Sequence, residues 1–260
     1  MPQHHLMVEP VLALKDNYVW LFKTSAHTWA AVDPGEAGPV IHHLDSLGET
    51  LSHILLTHHH HDHTGGVEAL RRHGVARGYT PLVIGAEKDA HRLPPLDVAV
   101  TGEQRLSLGD LEAEVMEVPG HTLGHVVYRV LDTLFAGDTL FRFGCGRVFE
   151  GTPEKMWDSL SKIRALPDTT QLCAGHEYTL VNLQFACSLE PNNAALQTLL
   201  THIFRQTDME QPTMPSPLGE EKQYNPFLRS DDPAFAKNIG LTGLAAEQVF
   251  ASIRKKRNSF

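Results

Sequence analysis

Thr57-His58-His59-His60-His61-Asp62-His63-Thr64-Gly65-Gly66 follows the apolar run Ile54-Leu55-Leu56 and precedes the helix-like Val67-Glu68-Ala69-Leu70-Arg71-Arg72. The stretch is a tight strand-to-helix connection crowded with metal-binding side chains. Residues two apart on extended chain project to the same side, so His58 and His60 can reach one ion together. The chain then turns, and Asp62 and His63 must aim elsewhere. A tetrahedral zinc takes four ligands, at roughly 2.0–2.2 Å for nitrogen and oxygen. So short a loop has trouble putting all its donors on one such ion. Two adjacent ions, each fed by two of these residues, is the easier geometry. The bland alternative is a solvated, His-rich surface loop, but His-dense short tracts read as metal-binding.

Outward from the loop, the first third of the chain alternates strand and helix signals. Leu6 to Leu14 and Asn17 to Phe22 read as paired antiparallel strands. Trp29 to Val32 leads into the turn Asp33-Pro34-Gly35. Val40 to Leu51 has Val40, His43, Leu44 and Leu47 at helical spacing, and Ser52 to Leu56 is a short buried strand delivering the His loop. Further strands are predicted at Leu82 to Ile84, Ala113 to Val118, Val126 to Val130 and Leu134 to Ala136. Thr152 and Pro153 open a helix running to Leu166, and Gln171 to Ala174 is the expected last strand. After residue 178 the pattern turns helical, with helices over Thr179 to Leu189 and Ala194 to Arg205. A Pro-rich link (Gln211 to Pro217) and a final helix from Gly243 to about Arg257 follow. This predicts an α/β domain over 1–178 and a small all-helical domain over 179–260.

Three more donors sit at the ends of short apolar strands, which is how a sheet gathers distant residues at one edge. They are His121 in Pro119-Gly120-His121-Thr122, Asp138 in Gly137-Asp138-Thr139, and His176 in Ala174-Gly175-His176-Glu177. The expected set is His58, His60 and His121 for one ion, and Asp62, His63 and His176 for the other. Asp138 would bridge them. Each donor alone has an ordinary reading as a polar cap or turn residue; the joint occurrence outweighs it. Asp33 is expected to hydrogen-bond a ligand histidine. His59, His61 and His125 are expected beside the site or at the surface.

Thr57 to His63 resembles the Thr-His-x-His-x-Asp-His mark of the metallo-β-lactamase superfamily. Asp16 to Trp20, Val32 to Gly35, Phe135 to Phe141, Gly144-Cys145-Gly146-Arg147, His176-Glu177-Tyr178-Thr179 and Asn225 to Arg229 resemble the glyoxalase II family within it. The resemblance implies an αββα sandwich followed by a small helical domain that contributes to a glutathione site. It implies hydrolysis of S-(2-hydroxyacyl)glutathione thioesters, chiefly S-D-lactoylglutathione to D-lactate and glutathione. The nucleophile would be a hydroxide bridging two divalent metals, with Asp62 and Asp138 the catalytic carboxylates. Zinc is the first expectation, and iron and manganese also tolerate this donor set. Arg147, Tyr178 and His176 would face the substrate, and Arg254 and Arg257 would hold a glutathione carboxylate. The family ending is usually closer to Leu-Arg-x-x-Lys-Asp-x-Phe, so Arg257 and Asn258 depart from it. Phe149 stands where some members carry tyrosine.

The 260 residues carry 22 basic and 31 acidic side chains, a net charge of −9. That argues against a nucleic-acid binder or an anionic-membrane binder, which need a basic face. Cys145, Cys173 and Cys187 are too sparse for a disulfide framework. Met1-Pro2-Gln3-His4-His5 lacks the pattern of a secretory leader, and no apolar run approaches a membrane span. A cytoplasmic monomer acting on a small molecule is the expectation. The competing classes are a single-iron persulfide dioxygenase, a β-lactamase, a metallonuclease and a metal-storage module without turnover.

Overall fold

The computed structural model describes residues 5–260; residues 1–4, part of the stretch read above for a leader, lie outside the described residues. Two compact units emerge. One takes in the chain up to Glu117 together with Gly124–Gly137, and the other is Val118–Leu123 with Asp138–Phe260.

In the first unit, β1 (Val8–Ala13), β2 (Asn17–Lys23), β3 (Thr28–Val32), β4 (Thr50–Leu55), β5 (Leu82–Ala86) and β6 (Val98–Val100) form a sheet in that order. The pairs β1–β2 and β2–β3 are antiparallel, and the sheet is parallel from β3 onward. Parallel neighbours need a long crossover. Helix α1 (Gly38–Leu47) supplies it between β3 and β4, and α2 (His61–Thr64) with α3 (Val67–Ala76) between β4 and β5. A second, antiparallel run comprises β7 (Gln104–Leu108), β8 (Leu111–Glu117), β9 (Val126–Val130) and β10 (Thr133–Gly137).

Strand alternation divides the core. Val19 and Leu21 of β2 cluster with Val40 and Leu44 of α1 and with Val67 and Leu70 of α3. On the other face of β2, Phe22 stacks on Phe135 of β10 with centroids 5.2 Å apart. The buried Tyr128 hydroxyl of β9 donates to the Leu56 carbonyl at 2.9 Å. Buried on both faces, β2 reads as a nearly continuous apolar run.

The helix expected over Val40 to Leu51 stops earlier. Gly48 takes a left-handed φ of 67° and its N–H turns back to Asp45 and Leu44, so α1 ends at Leu47 and β4 starts at Thr50. Glycine at that position is the usual helix stop.

The second unit contains β11 (Leu140–Phe141), β12 (Gly144–Cys145), α4 (Pro153–Arg164), β13 (Gln171–Ala174), α5 (Thr179–Leu189), α6 (Ala194–Asp208), β14 (Ser216–Pro217), α7 (Leu218–Tyr224), α8 (Pro233–Asn238) and α9 (Ala246–Asn258). The Thr152 side chain caps α4, accepting from the Lys155 N–H. Gln171 to Ala174 is not the last strand: Ser216 and Pro217, inside the expected Pro-rich link, pair antiparallel with Leu172 and Gln171. A two-residue strand has no periodicity to reveal it. Leu183, Ala186 and Cys187 of α5 pack with Leu196 and Ile203 of α6 and with Phe143. Among the described residues, no helix is long and apolar enough to cross a membrane.

Candidate active site

In the first unit the His loop is held from below by Asp33. One Asp33 oxygen accepts from the Thr57 N–H at 2.8 Å; the other accepts from the Thr57 hydroxyl at 2.6 Å and faces His63 Nδ1 at 3.0 Å. Asp33 is 2% exposed, and its φ of +52° places it in a left-handed conformation that aspartate tolerates better than most residues. Because the Thr57 proton goes to Asp33, the Thr57 oxygen accepts from His58 Nδ1, 3.0 Å away. The partner of one ring nitrogen fixes the role of the other. His58 Nε2 and His63 Nε2 are therefore left as lone-pair donors.

Those lone pairs point at other loop donors. His58 Nε2 lies 3.0 Å from His60 Nδ1, and His63 Nε2 lies 3.5 Å from an Asp62 carboxylate oxygen. Asp62 is steadied by Asn17, whose amide donates to its carbonyl at 3.1 Å and to its carboxylate at 3.2 Å. His125, fully buried, stacks on His58 at 4.7 Å, and His59 Nδ1 meets the buried Asp89 at 3.0 Å. His61 is exposed.

In the second unit the Arg147 carbonyl lies 2.8 Å from His121 Nδ1. A carbonyl only accepts, so Nδ1 carries the hydrogen and Nε2 presents a lone pair. That lone pair faces Asp138 Oδ2 at 3.5 Å, and His176 Nε2 faces the same oxygen at 3.4 Å. Two acceptors aimed at each other, His63 at Asp62 and His121 at Asp138, repel unless a cation or proton sits between them. All donors are imidazole nitrogen or carboxylate oxygen, the set that zinc, iron and manganese accept. The residues fit divalent metal.

A cavity of about 420 Å³ in this unit is lined by His121, Asp138, Phe141, Cys145, Arg147, Phe149, Tyr178, Asn182, Arg254 and Arg257 among others. The Tyr178 ring lies parallel to His176 at 4.7 Å and edge-on to Phe141 at 5.3 Å. Thus Arg147, Tyr178, Arg254 and Arg257 share one cavity with His121 and Asp138, whereas His176 sits against Tyr178 and does not line it. Arg254 is 7% exposed; it donates to the Cys145 carbonyl at 2.7 Å and to Asn258 Oδ1 at 3.1 Å. Arg257 donates twice to Asn182 Oδ1, at 3.3 and 3.2 Å. Burial lowers the Arg257 pKa, and the charges of Arg254 and Arg147 lower it further. Burial pushes the Cys145 thiol up to about 11 despite Arg254, so this cysteine is a neutral packing group and no nucleophile.

A metallo-β-lactamase superfamily model matches residues 15–176, and a model for the hydroxyacylglutathione hydrolase C-terminus matches residues 177–260. The hydroxyacylglutathione hydrolase of Ruegeria pomeroyi is 46% identical over 258 residues, covering 98% of this chain and 99% of that protein. The chain belongs to the hydroxyacylglutathione hydrolase family. It is an enzyme family of the metallo-β-lactamase superfamily, and its fold is the superfamily domain followed by the family's helical C-terminal domain. Among solved structures, ETHE1 from Myxococcus xanthus has a TM-score of 0.69 at 23% identity, covering 97% of this chain and 91% of that one. TTHA1623, solved in a di-iron-bound form, has a TM-score of 0.60 at 25% identity, covering 84% of this chain and 98% of that one.

Three residues of this family member escaped sequence reasoning as site residues. Asn17 was visible only as part of a family-like segment, Asp89 carried no signal, and Asn182 reads as an ordinary helix residue. Each acts by reaching a distant partner, which no local pattern encodes.

Proposed function

We propose that this chain hydrolyses S-(2-hydroxyacyl)glutathione thioesters, chiefly S-D-lactoylglutathione, to the hydroxy acid and glutathione. The observation that carries the reading is the cavity lined by both the His121–Asp138 pair and three arginines, Arg147, Arg254 and Arg257. Such a cavity suits a substrate with a reactive bond at one end and carboxylates at the other. The names of the family relatives support the same substrate class.

The proposed donors are His58, His60 and His121 for one ion and Asp62, His63 and His176 for a second, with Asp138 shared. Zinc is the first choice, and the di-iron form of TTHA1623 supports a two-metal assignment. When bound, a pair of divalent ions supplies a hydroxide near neutral pH and polarises a carbonyl. Asp62 would orient such a hydroxide by accepting its hydrogen bond, and Asp138 would be the carboxylate shared by the two ions. Asn17 keeps the Asp62 carboxylate in place for this, and Asp33 and the Arg147 carbonyl hold His63 and His121 in the ligating tautomer. Arg254, Arg257 and Arg147 bind the anionic end of the substrate, and Tyr178 offers its ring and hydroxyl beside them. The thiolate of glutathione leaves without an acid. Residues 1–178 are proposed to carry the chemistry and 179–260 the glutathione contacts, in a cytoplasmic monomer. Sedimentation of the purified protein tests the last point.

The test is loss of thioester absorbance on adding S-D-lactoylglutathione to metal-loaded protein. Turnover that a chelator abolishes is the expected result. No turnover with two ions per chain overturns the substrate assignment, and oxygen consumption with glutathione persulfide would then favour the dioxygenase class.

A further inference from the structure

Two of the cavity's arginines are held by side-chain amides. Arg257 gives two N–H groups to Asn182 Oδ1, and Arg254 gives its Nε–H to Asn258 Oδ1. An amide oxygen orients a guanidinium without cancelling its charge, whereas a carboxylate there would form an ion pair. Asn182 is 4% exposed, and its own orientation is settled by the backbone. Its Nδ2 donates to the Arg142 carbonyl at 3.1 Å, which turns Oδ1 toward Arg257. Gly144 makes room for this: a Cβ there would overlap the Asn182 amide.

We propose that Asn182 is a charge-preserving brace that fixes Arg257 in the cavity wall as a full cation and thereby sets the KM for an anionic substrate. This rests on the glutathione thioester reading above. A guanidinium has five N–H donors. Asn182 takes two from one edge, and the rest of the fork can meet a substrate carboxylate. The mutual repulsion of Arg257, Arg254 and Arg147 would splay an unbraced side chain out of the wall.

The experiment compares Asn182→Ala and Asn182→Asp with the natural protein, metal-loaded, reading KM and kcat for S-D-lactoylglutathione at low and high salt. Calorimetry measures glutathione binding in parallel. Asn182→Ala raises KM about threefold by freeing Arg257. Asn182→Asp raises it about tenfold or more, a factor equivalent to about 1.4 kcal/mol, and flattens its salt dependence because the cation is neutralised. In both, kcat stays within about twofold. Gly144→Ala, which displaces the amide while keeping Asn182, reproduces the alanine result and carries the test if the aspartate variant does not fold. A role as acceptor alone predicts the reverse order, since aspartate keeps the acceptor, and a role through the Nδ2 bond to the Arg142 carbonyl predicts an unchanged salt dependence. A KM for Asn182→Asp at or below that of Asn182→Ala overturns the brace, as does a fall in kcat at unchanged KM. If the natural protein binds glutathione without hydrolysing the thioester, the functional reading fails and the order of glutathione affinities decides the brace alone. If it neither binds nor turns over, both fall.

Discussion

Asp33 shows how one side chain fixes the chemistry of others. Three hydrogen bonds to Thr57 and His63 pass through it, from a left-handed backbone conformation. Removing a carboxylate that orients a ligand histidine costs roughly 10–100-fold in metal affinity. Asp33→Ala should therefore hold metal that much more weakly in a chelator competition, and unchanged affinity would show that Thr57 and His63 keep their orientation without it. Asp138 is faced by His121 and His176 through one oxygen. Asp138→Ala should lose metal content and activity together; full occupancy of two ions by metal analysis would remove its bridging role. The turn Asp33-Pro34-Gly35 and the candidate donors were legible in the sequence. The tautomers were not, because they depend on the Arg147 carbonyl and the Thr57 hydroxyl, which only the fold brings into reach.

Elements end where local chemistry says they must. Gly48 stops α1, Thr152 opens α4, and Asn193 opens α6 by accepting from the Ala195 and Leu196 N–H groups at 3.2 and 3.4 Å. An N-cap asparagine replaced by alanine costs about 1 kcal/mol. Asn193→Ala should lower the unfolding free energy by that amount in urea while leaving thioester turnover alone, since Asn193 does not line the cavity. Helix α5 and the strands β9 and β13 match the residues expected of them, and α6 starts where expected and runs three residues further, to Asp208. Elements such as β14, α7 and α8 are too short for a periodic signal and form because tertiary partners hold them.

At the scale of the molecule, stability should depend on pH through Glu221. This α7 carboxyl is fully buried, accepts the Phe143 N–H at 2.6 Å and the Asn225 amide at 3.1 Å, and faces the Ser216 hydroxyl. Burial, opposed by those hydrogen bonds and by Arg142, pushes its pKa from 4.5 up to about 7. The folded state therefore holds a proton that the unfolded state releases, so this contribution is complete below about pH 4.5 and is lost as pH rises through about 7. Glu221→Gln should flatten the fall in melting temperature across that window, and an unchanged slope would mean the carboxyl is ionised when folded. By itself the sequence determined the family and the α/β-then-helical order, and it marked seven candidate metal donors, because strand alternation, caps and a dense donor motif are local patterns. Only the tertiary structure decided which nitrogen His58, His63 and His121 present, that Asn17 steadies Asp62, and that a neutral amide holds Arg257. Those depend on groups 24 to 75 residues apart meeting within hydrogen-bond distance. Local patterns carry no record of such meetings.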